Sequence, residues 1–258
     1  MKHIYIIIFS LLVGLNIMAQ PYNQTDKNDK KIGKWVKKYD NGKIRYEGQF
    51  ENGYEIGVFY FNYPNGKIKS KLQYSDKGNY AVATMYYKNG SIQATGKYYK
   101  KQKHGMWKYY SQANENITKQ EGYNKGVKDG DWIVYFKNGK IASEILWDNG
   151  IRNGDWKEYY ENGRLRLSVT FIDDKFEGDY SVYYLNGQVS RKGKYVNGKA
   201  NGKWITYNER GIYTSVMVFN MGNIDLERRY KDGKMVFEAD NKKHTITDLR
   251  KKKDGEEE

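Results

Sequence analysis

A repeat of 24 residues is the feature of this chain that most constrains its fold. Turn glycines recur at intervals of 24 residues, with one interval of 49 that contains a further unit. An aromatic residue marks the same period eight times, with one interval of 25 because residues 111–116 hold an extra residue. Self-similarity of this kind is typical of arrays in which each unit packs on its two neighbours. The aromatic markers are Phe50, Tyr74, Tyr98, Tyr123, Trp147, Phe171, Tyr195 and Phe219.

Each unit is predicted to form a β-hairpin. An Asn-Gly dipeptide between two alternating segments favours a type I′ turn, in which both central residues have positive φ. A second glycine turn, as at Asn52-Gly53, joins one hairpin to the next. We therefore predict an all-β fold: an elongated antiparallel β-hairpin repeat array that forms a single twisted meander sheet of about sixteen strands. The predicted type I′ turns are Asn41-Gly42, Asn65-Gly66, Asn89-Gly90, Asn138-Gly139, Asn162-Gly163 and Asn186-Gly187.

A two-residue turn also determines which residues face each other across the hairpin. In the first unit it pairs Tyr39 with Ile44 and places Trp35 opposite Gly48. A large ring opposite glycine or a flexible side chain is a good cross-strand fit. The same alignment predicts two further pairs, Tyr180 with Gly193 and Trp204 with Met217.

Alternation along the second strand of each unit separates two faces of the sheet. Of 24 positions predicted to face inward, only Lys119, Glu121 and Arg191 are charged. The outward positions carry nine charges, seven of them basic, and the first strand adds an outward tyrosine in six units. This pattern predicts a half-solvated sheet with a candidate binding face of tyrosine, lysine and arginine. Its residues are Tyr86, Tyr110, Tyr135, Tyr159, Tyr183, Tyr207, Arg45, Lys69, Lys71, Lys97, Arg166, Lys192 and Lys194.

The same face also has a purely structural interpretation. Tyrosine favours strands, and lysine keeps an exposed sheet soluble and unaggregated. Both interpretations are compatible with the residue pattern.

The first nineteen residues have the features of a targeting segment. A positive start at Lys2 precedes an apolar run over residues 4–15, and Ala19 is a small residue at which cleavage can occur. Because about 20 apolar residues are needed to span a bilayer, we predict a signal peptide at residues 1–19, with an uncleaved anchor as the alternative. The expected location is periplasmic, cell-surface or extracellular. The lack of cysteine excludes a lipoprotein.

The composition offers little for catalysis. The chain has no cysteine, and His3, His104 and His244 are its only imidazoles. It has no nucleophile elbow, Walker loop or dinucleotide fingerprint. Acidic residues within 173–179 offer carboxylate oxygens to a hard cation, but their spacing is not that of a calcium loop, and we interpret them as a solvated turn. His104 is interpreted as a surface histidine. We expect no enzymatic activity, no cofactor and no metal site.

The pattern Gly-x-Trp-x-x-Tyr-Tyr-x-Asn-Gly-Lys-Ile, followed by an aromatic-x-Asn-Gly turn, resembles the bacterial MORN-type repeat (membrane occupation and recognition nexus). The resemblance covers residues 33 to about 222. It implies a non-enzymatic hairpin array that serves as a binding or dimerisation scaffold. Some members are linked to phospholipid contact, and some carry an antitoxin-like label. This chain departs from the pattern where Phe59 and Ala83 replace the tryptophan, and where Glu115 replaces the turn glycine.

The expected organisation follows from the repeat. After the signal peptide we predict a linker at 20–32, eight MORN-like repeats at 33–222, a degenerate ninth repeat at 223–239 and a charged tail at 240–258.

The expected function is an exported scaffold that binds a protein partner or an anionic envelope surface, such as a lipid headgroup or a polysaccharide. The alternative is a carbohydrate or cell-wall binding module, because exposed aromatic rings stack on sugars. An enzyme acting on an envelope polymer is the third hypothesis, disfavoured because no catalytic motif is present. Nucleic acid is disfavoured because export makes it scarce. Assembly as a homodimer is left open.

Overall fold

The computed structural model describes residues 21–250, which form one open antiparallel meander sheet of twenty strands. Each strand pairs with the strands before and after it in the chain. The predicted signal peptide at 1–19 and the last eight residues of the tail lie outside the described residues. The strands are β1 Gln24–Thr25, β2 Lys31–Lys38, β3 Ile44–Glu51, β4 Tyr54–Asn62, β5 Ile68–Ser75, β6 Tyr80–Tyr86, β7 Ile92–Tyr99, β8 Gln102–Tyr110, β9 Ile117–Asn124, β10 Val127–Tyr135, β11 Ile141–Asp148, β12 Ile151–Tyr159, β13 Leu165–Ile172, β14 Lys175–Tyr183, β15 Val189–Val196, β16 Lys199–Tyr207, β17 Tyr213–Asn220, β18 Asn223–Lys231, β19 Lys234–Asp240 and β20 Thr245–Asp248.

The predicted all-β hairpin array is confirmed, and the strand count shows where the array extends. The sixteen strands β2 to β17 are the eight predicted hairpins. Strands β18 and β19 form a ninth hairpin, and β1 and β20 add one short strand at each edge of the sheet. Residues 21–250 contain no helix long and apolar enough to cross a membrane.

The turn within each hairpin differs from the prediction. In the first unit, Gly42 has a φ of +78°, but Asn41 is not among the residues with positive φ. The amide of Gly42 donates to the carbonyl of Tyr39 (2.9 Å), and the amide of Tyr39 donates to the carbonyl of Lys43 (2.8 Å). This is a type I turn followed by a left-handed glycine, so the type I′ prediction for these six turns is wrong.

An asparagine side chain explains this choice of turn. The Oδ1 atom of Asn41 accepts a hydrogen bond from the amide of Lys43 (3.1 Å), as asparagine commonly does two residues along a turn. The three-residue loop shifts the register next to it, so Ile44 faces Lys38 rather than Tyr39. Farther from the turns the predicted pairs are confirmed: Trp35 with Gly48, Tyr180 with Gly193 and Trp204 with Met217.

Type I′ geometry occurs instead at the turns between hairpins. Asn52 and Gly53 both have positive φ, at 50° and 85°. Asn149-Gly150 and Asn197-Gly198 share this conformation.

Aromatic rings pack along the inward face, which has no second layer above it. Trp107 is 0% exposed, Phe59 is 2% exposed, and few other apolar side chains are fully buried. The rings touch from unit to unit at centroid distances near 5 Å, as for Phe50 with Phe59 (5.2 Å) and Tyr98 with Trp107 (4.9 Å). Such contacts add to the free energy of area burial and rigidify a single-layer sheet.

The turns of successive units are also joined by hydrogen bonds. The phenol of a tyrosine just before the turn donates to a main-chain carbonyl 23 residues later, at 2.7–2.9 Å. These pairs are Tyr39 to Asn62, Tyr63 to Tyr86, Tyr87 to Tyr110, Tyr160 to Tyr183 and Tyr184 to Tyr207.

Candidate binding face

The structure places all seven predicted basic residues on the outward side of the sheet as exposed side chains. The six predicted tyrosines are half-buried. Four of these tyrosines make side-chain contacts with outward residues of the preceding strand, which confirms that they share the face. The contacts are Tyr110 Oη with Thr95 Oγ1 (3.2 Å), Tyr135 Oη with Gln120 Nε2 (2.9 Å), Tyr159 Oη with Glu144 Oε1 (2.6 Å) and the Tyr207 ring with Lys192 Nζ (5.8 Å).

The basic residues are not evenly spread over this face. The N-terminal basic patch comprises Arg45, Lys69, Lys71 and Lys97 on β3, β5 and β7. The C-terminal basic patch comprises Arg166, Lys192 and Lys194 on β13 and β15. Six strand steps of about 4.8 Å separate β7 from β13, so the patches lie about 29 Å apart before the sheet twists.

The middle of the face is different in charge. On β9 and β11 the corresponding outward positions hold no basic residue, and Glu144 accepts the hydrogen bond of Tyr159. Burial, followed by this hydrogen bond to Glu144, raises the pKa of Tyr159 to about 12. Burial, with the charge of Glu144, also raises the pKa of Tyr135. Tyrosines here are therefore neutral at physiological pH.

Most of the basic side chains are free to meet a ligand. Within residues 21–250, only Arg166 and Lys194 of the seven form ion pairs, with Glu158 and with Asp179 (3.5 Å), respectively. Exposed pairs of this kind contribute at most about 1 kcal/mol and are readily exchanged. The N-terminal basic patch is unpaired throughout, because the neighbouring Glu47 pairs with Lys34 (3.1 Å) instead.

A hollow of about 480 Å³ lies within the C-terminal basic patch, between β14 and β16. Lys192, Lys194 and Lys203 line it together with Asp179, the ion-pair partner of Lys194, and Ser181 adds a hydroxyl group. Three ammonium groups around a concave surface suit an anionic group, since lysine presents a mobile point charge to phosphate, sulfate or carboxylate. The contribution of Lys203 was not predicted, because the candidate binding face included basic residues of the second strands only.

A buried charged cluster lies on the opposite, inward face. Glu121 is 5% exposed and accepts hydrogen bonds from Lys119 (2.7 Å) and Tyr123 (3.0 Å), with Lys103 at 3.9 Å. Burial alone would raise the pKa of Glu121, but the hydrogen bonds from Lys119, Tyr109 and Tyr123 outweigh it and lower this pKa. Burial lowers the pKa of Lys103. The sequence marked Lys119 and Glu121 as inward charges, and only the sheet shows that they neutralise each other.

The acidic loop and His104 engage separate partners. Asp174 Oδ1 accepts from Arg152 Nε (2.7 Å), and Glu177 Oε2 accepts from the amide of Asn197 (2.7 Å). His104 Nδ1 accepts a long hydrogen bond from the amide of Lys125 (3.5 Å). In the described part of the chain, no three His, Asp or Glu side chains are grouped as metal ligands.

Comparison with known families agrees with the geometry. The family described as the MORN repeat variant matches five segments of the chain. A search of curated proteins found no match to the chain. The matched residues are 31–52, 55–76, 128–149, 152–173 and 176–197. Each matched segment begins and ends close to the turns between hairpins, so one match corresponds to one hairpin. Residues 77–127, between the second and third matches, contain Ala83 and the one-residue insertion. The chain therefore contains five repeats of the MORN type.

Proposed function

We propose that this protein is an exported, non-enzymatic scaffold that binds a protein partner or an anionic surface through its outward face. MORN repeats are generally non-enzymatic and often bind proteins or membranes. The observation that carries the proposal is the set of seven exposed basic side chains on one side of the sheet, five of which form no ion pair among the described residues. A purely solubilising role does not require all seven to share one face with half-buried tyrosines.

The charge arrangement indicates how such a surface would bind. Lysine and arginine in the two patches attract an anionic partner over a range set by the Debye length, about 8 Å at physiological ionic strength. Tyrosines beside them offer apolar ring area and a hydroxyl group, as binding surfaces often do. Binding through both patches is expected to weaken as salt is added.

Export is part of the proposal and rests on residues 1–19. N-terminal sequencing or intact-mass measurement of the exported protein tests it, with Gln20 as the expected first residue after cleavage at Ala19. Retention of Met1 would show that the segment is an anchor or is not processed.

The binding experiment compares charge reversals of equal size. The variant K192E/K194E reverses two charges of the C-terminal basic patch, and K88E/K137E reverses two exposed turn lysines outside the face. The wild type and the two variants are tested by pull-down from the native envelope and on vesicles that contain anionic lipid. We expect the patch variant to lose about tenfold or more in affinity and the turn variant to bind as the wild type does.

The outcomes also separate the alternatives. Equal binding by all three proteins would refute the outward face as the binding surface. Saturable, salt-insensitive binding to neutral glycans on an array would favour the carbohydrate module, in which tyrosine rings rather than charges carry the affinity. Turnover of an envelope polymer would overturn the non-enzymatic assignment.

A further inference from the structure

A cavity interrupts the aromatic packing of the inward face at the third unit. Seven of the eight units have a large aromatic ring at the position that Trp35 occupies in the first strand of the first unit. The third unit has Ala83 at this position. Ring contacts run up to the cavity on both sides, from Phe59 to Tyr74 and from Tyr98 to Trp107. Tyr74 and Tyr98 both line the cavity. The rings of the other units are Trp35, Phe59, Trp107, Trp132, Trp156, Tyr180 and Trp204.

At this point the larger side chain of the cross-strand pair is on the preceding strand, as Leu72, and the smaller one is Ala83. In three other units the ring lies over a glycine of the preceding strand: Phe59 over Gly48, Trp107 over Gly96 and Trp204 over Gly193. Where the second unit meets the third, Leu72 of β5 stands at this glycine position and pairs with Ala83 of β6. Leucine does not refill the volume of the missing ring, and a cavity of about 250 Å³ remains beside it.

The backbone around the cavity is also distinct. Most units join their hairpins by a two-residue turn, and the register then shifts at a left-handed glycine in the next strand, as at Gly57 between β3 and β4. Strands β5 and β6 instead pair without a shift, and residues 76–79 form a four-residue turn. Gly78 of that turn lies against Glu55, which pairs with Lys101 at 3.1 Å. Gly78 and Lys101 line the edge of the cavity, and Glu55 neutralises the charge of Lys101.

The walls are apolar and suit a flat, uncharged group. The apolar side chains that line the interior are Phe61, Leu72, Tyr74, Ala81, Met85 and Tyr98, and Ser70 and Asn79 add polar groups. Burial raises the pKa of Tyr74 to about 12, so its hydroxyl is neutral at physiological pH. An apolar cavity of about 150 Å³ is already large enough to bind benzene. The volume here therefore accommodates a bicyclic ring.

We propose that this cavity is a binding site for a small planar aromatic compound of about the size of indole. The ligand ring takes the place that a tryptophan side chain occupies in neighbouring units, between Tyr74 and Tyr98. Edge-to-face contacts with these two phenols favour an aromatic ring over a saturated one of equal size.

The test uses the full chain with ¹³C-labelled methionine methyl groups, titrated with indole and followed by NMR. The Met85 methyl group lines the cavity, and the Met217 methyl group lies far away on β17. We expect the Met85 signal to move upfield and saturate while the Met217 signal stays in place. Equal, non-saturating shifts at both positions would overturn the proposal without any variant.

Two variants and two further probes sharpen the result. The variant L72G/A83W introduces the glycine-and-ring pair seen at Gly96 and Trp107 and is expected to weaken indole binding at least about tenfold. Its matched control is V82W, which places the same ring on the opposite side of the same strand, where Val82 is 54% exposed. Unchanged binding in L72G/A83W would overturn the proposal, as would cyclohexanol binding as tightly as indole. Saturation by N-acetyl-tryptophanamide but not by indole would show that a peptide, rather than a small aromatic compound, is recognised.

Discussion

The indole ring of Trp107 lies directly over the α-carbon of Gly96 on the neighbouring strand. A Cβ atom at Gly96 would overlap Cδ2 and Cε2, the two atoms that both rings share, and Cγ of the five-membered ring. The indole Nε1 atom donates to the carbonyl oxygen of Lys97 (3.0 Å), which holds the ring in place. Trp204 covers Gly193 in the same way. The contact between a ring and a glycine is thus one means by which one hairpin locks onto the next.

Substitution of Gly96 by alanine is expected to destabilise the fold. The added methyl group displaces a fully buried ring, and overpacking of this kind costs about 1–3 kcal/mol. Gln93→Ala, at an exposed position of the same strand, is the matched control. Urea unfolding of both variants measures the difference. A loss no greater than that of the control would mean that the Trp107 ring can move away at little cost.

Removal of one phenol between units is expected to have a smaller effect. Tyr160 donates to the carbonyl oxygen of Tyr183 at 2.7 Å, so Tyr160→Phe should lower the free energy of unfolding by about 1 kcal/mol. Tyr183→Phe is the matched control, because its own hydroxyl donates to no group within residues 21–250. Thermal unfolding of both variants provides the comparison. Equal melting temperatures would show that water replaces the bond without loss.

The buried Glu121 is expected to make stability depend on pH in the acid range. Its folded pKa lies below the ordinary value of 4.5, so the folded state binds fewer protons than the unfolded state near that pH. The stabilisation is therefore fully present above about pH 4.5 and is lost as the pH falls through the lowered folded value. Glu121→Gln should remove this part of the acid dependence. Melting temperatures between pH 3 and 7 (roughly two units around the ordinary carboxyl pKa) measure it.

Glu115→Gln is the control for that measurement, because Glu115 is an exposed carboxylate in a turn. The control should retain the acid dependence of the wild type. If Glu121→Gln retains it as well, other carboxylates cause the acid sensitivity of the fold.

Deletion of one whole period is expected to leave a folded protein. Removing residues 154–177 joins Asn153 to Gly178, one period later in the array, so strand direction and turn chemistry are preserved. Removing residues 154–165 takes away most of β12 and its turn, which places Leu167 and Phe171 against the wrong neighbours. We expect this second variant to aggregate or unfold. Circular dichroism and size-exclusion chromatography distinguish the two, and equal folding would show that the register argument is wrong.

The repeat period alone determined much of this protein. The spacing of glycines and aromatics predicted the hairpins, the pairing of Trp35 with Gly48 and the separation of faces, because a period of two along each strand leaves one arrangement that buries the rings. The placement of the seven basic residues and the tyrosines followed from the same alternation.

The tertiary structure decided the features that depend on which side chains touch. Asn41 and Gly42 were compatible with two turn types, and the side-chain hydrogen bond to Lys43 selected the type I form. In the sequence Lys119 and Glu121 are two isolated inward charges. In the fold, Lys103 and Tyr109 of the adjoining strand β8 and Tyr123 of their own strand surround them. The cavity beside Leu72 depends on the ring that Ala83 omits and on the unshifted pairing of β5 with β6. Each of these features is set by side chains that touch within a turn or across a pair of strands, and a period read along one chain does not show which of them touch.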